Sequence, residues 1–269
     1  MDLGKAVAFV EDKGSPFEKA RLYYILRGEI PDAALLRPLL DTQSKDGGFP
    51  SRPRPGNVSS VDSTLTALWK LDESGLFPST VFSRALQFII STQRPDGSWD
   101  ENPALPAADL APWIIPGNPA TRLYLTAYST YWLGLSEHKN GPAFEKAARF
   151  LAAHQEDSGK IPGYQHNSWI GTGVFLLAGP PYQAQARRGL QFLASLPAPE
   201  WEDSQLTWAI DCLSRAGLPQ TEPFIASGLD LLRARQAEDG CWASEDGLAF
   251  IVTATLQAIR IFQRFGLDQ

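Results

Sequence analysis

Gln93-Arg94-Pro95-Asp96-Gly97-Ser98-Trp99 is the stretch that decides the fold of this 269-residue chain. Its pattern is Gln, then Asp at +3, Gly at +4 and an aromatic at +6. The pattern returns in full as Gln43/Asp46/Gly47/Phe49 and as Gln236/Asp239/Gly240/Trp242. Gln155/Ser158/Gly159/Ile161 is a degenerate copy, and Asp12 to Phe17 and Leu196 to Trp201 are weaker ones. The Leu196 copy falls midway between Gln155 and Gln236, a regularity expected of an internal repeat. Apolar residues recur at intervals of three and four before each copy, over 3–10, 33–42, 81–92, 143–154, 184–195 and 224–235. Less charged apolar runs follow, over 18–26, 62–71, 121–135, 168–177, 204–215 and 248–262. Pro31, Gly75, Pro78, Gly141, Pro142, Gly217, Pro219 and Pro223 punctuate the joints, as helix ends require.

The expectation is an all-α chain, an (α/α)6 toroid of six outer–inner helical hairpins forming one domain over 1–269. A single hairpin cannot bury both of its faces, and stacking its neighbours supplies the missing surface. The repeat Gly permits the turn after each outer helix, while Gln and the aromatic tie neighbouring repeats together. Asn118, Asn167, Asp203 and Asp246 stand where they could cap helices.

Composition narrows the function. Hydrophobic residues at 43% and charged residues at 20% are globular, and a net charge of −6 argues against nucleic acid as a partner. Two cysteines and three histidines leave little material for a disulfide framework or a zinc site. There is no GxxxxGK[ST] loop, HExxH helix or GxSxG elbow. No apolar run approaches the roughly 20 residues of a membrane span, and residues 1–14 carry no signal-peptide pattern. A cytoplasmic chain, free or peripherally membrane-bound, is expected.

The Gln…Asp-Gly-x-Trp repeat resembles the QW motif of triterpene cyclases. Three further segments are similar to the C-terminal toroid of squalene–hopene and oxidosqualene cyclases, and occur in the same order. Ser60-Val61-Asp62-Ser63-Thr64 stands where that family carries DxDD-T or S-D-C-T. Asn167-Ser168-Trp169-Ile170-Gly171-Thr172-Gly173 resembles N-Y-x-Y-G-T-G, and Ser204-Gln205-Leu206-Thr207-Trp208-Ala209 resembles S-Q-T-A-W-A. Together they span about four of the six hairpins. Two departures stand out: the sequence reads as one toroid without the family's second, and Ser60 and Ser63 replace two of the three acids.

The resemblance implies a class II terpene or meroterpene cyclase, an isomerase or lyase that needs no cofactor and takes an isoprenoid small molecule. Asp62 is then the general acid that protonates an alkene or epoxide, with Ser60 and Ser63 orienting the proton. A lone acid favours an epoxide or another activated isoprenoid. His166 is placed to support Asp62. Carbocations need electron-rich walls, and Tyr124, Tyr128 and Trp132 lie on one stripe at i, i+4, i+8. Tyr164 falls near the family's cation-stabilising Trp, and Trp169, Trp208 and Phe250 are further inner-helix candidates. Capping is the competing role for Asp62 and Ser60, a surface loop for His166, and helix–helix core for the aromatics. The insertion after Trp99 carries Leu110, Trp113, Ile114 and Ile115 between prolines. Residues 104–116 read as a lid, a membrane-dipping tip, a homodimer contact or a loop packed on the body. The alternative function is a non-catalytic toroid that binds a prenyl chain or a partner protein.

Overall fold

The computed structural model describes residues 1–52, 57–106, 110–111 and 113–267. Twelve α-helices follow one another among them: α1 (Leu3–Lys13), α2 (Pro16–Arg27), α3 (Ala33–Leu40), α4 (Val61–Glu73), α5 (Thr80–Ser91), α6 (Pro119–Leu135), α7 (Pro142–His154), α8 (Gln165–Ala178), α9 (Gln183–Ser195), α10 (Asp203–Arg215), α11 (Pro223–Arg235) and α12 (Ile251–Arg264). Each falls on one of the twelve periodic runs. The strands are two residues each, β1 (Phe49–Pro50) antiparallel to β2 (Ser59–Ser60). No helix among the described residues is long and apolar enough to cross a membrane. The chain groups into two compact units, Arg37–Asp72 with Leu76–Phe192, and Met1–Leu36 with Glu73–Gly75 and Leu193–Gln269.

In the first of these units, odd- and even-numbered helices differ in the way their composition predicts. Helix α5 buries one stripe, Phe82, Ala85, Leu86, Phe88 and Ile89, the pattern of a helix with one wet face. Helix α6 buries 13 of its 17 residues and α8 buries 10 of its 14, and these two pack along one another. Gly134 lets them approach: a Cβ there would sit 2.9 Å from Leu177 Cδ1 and from the Phe144 ring.

The repeat builds the joints. Gln93 Nε2 donates to its own turn at Gly97 O (3.0 Å) and to the next odd-numbered helix at Ala143 O (2.8 Å). Gln43 does the same with Gly47 O and Val81 O, and the degenerate Gln155 with Gly159 O and Gln185 O. The repeat Asp caps the turn: Asp96 Oδ1 accepts from Ser98 N at 3.1 Å. Gly97 has φ +90°, and a Cβ there would meet Lys146 O at 2.7 Å, so only glycine brings the turn against the neighbouring helix. Trp99 is fully buried and its indole N–H donates to Ile89 O. Burying such a ring with its polar atom satisfied contributes roughly 4–6 kcal/mol before ordering costs.

In the other unit α12 packs on α1, α2 and α10, and Gln236 repeats the joint with Gly240 O (3.0 Å) and Asp2 O (2.9 Å). Arg21 and Arg260 both bind the buried carboxylate of Glu73, and Arg264 Nη1 lies 2.8 Å from Asp211 Oδ1. Burial pushes the Asp211 carboxyl up, but Arg260, Arg264 and Arg215 outweigh it and hold it at about 2. The weak fifth copy of the repeat leaves a groove of about 380 Å³ between Leu196, Trp201, Leu206 and Phe224.

Four expectations need correction. Helix α12 begins at Ile251, so Phe250 ends a short 3₁₀ turn (Leu248–Phe250) and is 48% exposed. Asn118 caps α6, accepting from Ala120 N at 2.8 Å, but Asn167 lies inside α8 and donates to Pro162 O. Asp203 is the first residue of α10 and pairs with Arg235, and Asp246 precedes the 3₁₀ turn without capping α12.

Candidate active site

The first turn of α4 is fixed before any chemistry is considered. Ser60 is its cap, accepting from Ser63 N at 3.0 Å, and Thr64 Oγ1 donates back to Ser60 O while accepting from Phe49 N. These bonds join the β1–β2 ribbon to the helix start and hold Asp62 in its second position. Ser60 Oγ spends its own proton on Glu101 Oε2, 2.8 Å away. Its link to Asp62 therefore runs through Glu101. Ser63 is half-buried, and its amide completes the cap.

Asp62 is half-buried and meets two groups from other segments. Tyr124, from α6, donates its phenol proton to Asp62 Oδ1 at 3.1 Å. Glu101, from the turn after α5, accepts the Asp62 amide at 3.1 Å. Burial first, and then the charge of Glu101, raise the Asp62 carboxyl to about 6, against the Tyr124 bond, which favours the carboxylate. At pH 7 about one carboxyl in ten then carries its proton. Burial, with the Asp62 charge behind it, pushes the Tyr124 phenol well above its ordinary value, so it remains a donor.

Around this acid the aromatic residues converge. Tyr128 stacks on Tyr124 with ring centres 6.0 Å apart, and Trp132 follows at 6.1 Å. His166, in the first turn of α8, meets Tyr124 edge-on at 4.8 Å and stacks on Tyr164 at 5.2 Å. Trp169 lies one turn further on, 5.9 Å from His166. Burial lowers His166 to about 4, so it is neutral at physiological pH. The stripe changes character along α6: Tyr124 and Tyr128 retain a trace of exposure, while Trp132 is sealed against Phe82 of α5 at 5.7 Å.

The structure thus gathers Ser60, Asp62, Tyr124, Tyr128, Tyr164, His166 and Trp169 in one unit. Trp208, half-buried on α10, and Phe250 belong to the other. In the long connection after Trp99, Gly117 N donates to Asp100 Oδ1 and Thr121 Oγ1 to Trp113 O. Ile114 is buried, Leu110 is half-buried, and Trp113 and Ile115 are each 45% exposed. Residues 107–109 and 112 of the proposed 104–116 tip lie outside the described residues.

Glu101 escaped the sequence reading. The signal was its place two residues after the repeat aromatic, where the other two full copies carry Ser51 and Ser244.

A carboxylic acid that holds its proton up to about pH 6, walled by aromatic faces, can protonate an electron-rich double bond or an epoxide. The rings can then stabilise the resulting cation. No protein-family model matches the chain, and no curated protein matches it. Solved structures do. The type II terpene cyclase MstE from Scytonema aligns with a TM-score of 0.64 at 13% identity, over 99% of this chain and 98% of that one. A variant of MstE in complex with the substrate geranylgeranyl dihydroxybenzoate aligns with the same TM-score and identity, over 99% and 97%. The ent-copalyl diphosphate synthase from Streptomyces platensis aligns at 0.59 with 17% identity, over 93% of this chain and 50% of that one. These likenesses show the fold: the all-α helical toroid class expected from the repeats is the one this chain shares with type II terpene cyclases.

Proposed function

We propose that the chain is a class II cyclase of terpenes or meroterpenes, an isomerase or lyase of squalene–hopene cyclase-like type working as a single domain. One observation carries the reading: Asp62, bonded by Tyr124 and backed by Glu101, stands at the edge of a cluster of Tyr124, Tyr128, Tyr164, His166 and Trp169. In this reading Asp62 transfers its proton to one carbon of a terminal alkene, leaving the cation on the other, or to the oxygen of a terminal epoxide, whose carbon–oxygen bond breaks to leave the cation on the polyprenyl substrate. The chain then closes onto the cation, and loss of a proton or capture of a nucleophile ends the sequence. Aromatic faces stabilise the cations by about 2 kcal/mol per desolvated contact. Exposed Trp113 and Ile115 give the connection after Trp99 an apolar face suited to meeting substrate at a lipid surface.

The test is incubation with polyprenyl alcohols, diphosphates, epoxides and prenylated phenols, followed by product analysis, with Asp62→Asn as control. Cyclised products that vanish in Asp62→Asn support the reading. Prenyl binding without turnover across the panel supports the non-catalytic alternative.

A further inference from the structure

We propose that Glu101 is a positioning residue for the acid: it clamps the first turn of α4 and presents a fixed negative charge beside Asp62. The inference rests on the reading of Asp62 as the proton donor.

Its geometry is complete. Glu101 is 2% exposed. Oε1 accepts from Val61 N (2.9 Å) and Asn102 N (2.7 Å), and Oε2 from Ser60 Oγ (2.8 Å) and Asp62 N (3.1 Å). Two of the four donors are the leading amides of α4, where the helix dipole favours an anion. All four are neutral groups, so they hold the charge in place without cancelling it.

A purely structural cap does not need that charge. Ser60 already caps the helix, and a glutamine in place of Glu101 would still accept the Val61 and Asn102 amides at Oε1, giving up only the two bonds made at Oε2. A buried carboxylate next to another carboxyl costs stability unless the second one stays protonated. That is the state a proton donor requires. Ser60 and Ser63 flank Asp62 without charge, and Glu101 supplies a negative charge from a different hairpin. The other titratable groups in the surroundings are Tyr124, which bonds Asp62 directly, and Tyr128, Tyr164 and His166, which meet the Tyr124 ring. Of these direct contacts, Tyr124 favours the carboxylate and Glu101 opposes it.

The experiment is a carboxyl ¹³C NMR titration of the full-length protein labelled at aspartate, with Asp62→Asn identifying the Asp62 signal. It needs no substrate, so its result is separate from that of the cyclase assay. In Glu101→Gln the Asp62 midpoint is expected to fall by about one pH unit, and the high-pH limb of any turnover should move down by the same amount. An unchanged midpoint in a folded Glu101→Gln protein overturns the inference, even where turnover is found. If a thermal melt shows that Glu101→Gln does not fold, Glu101→Asp takes its place. That change keeps a carboxylate but draws it back from the Asp62 amide, so the Asp62 midpoint should fall; a midpoint that stays put overturns the inference equally.

Discussion

Tyr124 and Asp62 face each other across 3.1 Å, with the phenol as donor and Oδ1 as acceptor. This bond stabilises the carboxylate, so the group that aims the acid also makes it a poorer proton holder. Tyr124→Phe keeps the ring and removes the donor. The Asp62 midpoint should then rise above about 6, and the high-pH limb of kcat/KM should move upward with it. A pH profile superimposable on wild type would remove Tyr124 from the acid's surroundings.

Asp62→Asn should abolish turnover and yet raise stability at neutral pH. A carboxyl whose folded value lies near 6, above the ordinary 3.8, costs stability when charged, and that cost disappears as pH falls from 6 to below 4. The amide never pays it. Melting temperatures of variant and wild type should therefore differ at pH 8 and converge near pH 4. Below that both should lose stability as Asp211, held near 2 in the fold, takes up its proton. A variant that melts lower than wild type at pH 8 contradicts this account.

Tyr128 distinguishes a substrate wall from core. Lining a substrate chain, Tyr128→Ala should release partly cyclised alkenes or hydroxylated products, because water enters a site that must exclude it. Packed only as core, the change should cost about 3–5 kcal/mol with products unaltered. Its stacking on Tyr124, ahead of the sealed Trp132, favours altered products with a modest fall in melting temperature. Product analysis beside a melt reads both.

Gly159 tests the joint in its degenerate copy. Its φ is +92°, and a Cβ there would come within 2.0 Å of Arg188 O. Handedness alone costs about 1–2 kcal/mol, and the collision adds to it, so Gly159→Ala should lower stability by more than about 2 kcal/mol. A denaturant midpoint unchanged from wild type would show that the neighbouring helix yields freely.

The helices were legible because each signal was local. Three- and four-residue spacing marks α5 and α11, and the Gln–Gly turn stops them wherever Gly97 or Gly240 takes a positive φ. Asp62 was legible as a candidate through the resemblance of residues 60–64 to the cyclase motif, and Tyr124 and His166 through the periodicity that places them on a stripe of α6 and near the start of α8. Glu101 was not, because its role depends on a non-local approach: a residue in a long connection meets the first turn of α4 from 39 to 41 positions away. The start of α12 was misread because Leu248 and Phe250 are apolar enough to extend the run, while the chain turns there as a 3₁₀ segment.

Each repeat glutamine grips main-chain carbonyls, Val81, Ala143, Gln185 or Asp2, and the repeat glycine lies against backbone as well. A joint made chiefly to main chain places little demand on the side chains of the helix it grips. The type II terpene cyclase MstE has this fold at 13% identity. For the same reason, exchanging an entire hairpin cassette while keeping its Gln and Gly is a more conservative way to remodel this scaffold than altering a single turn glycine.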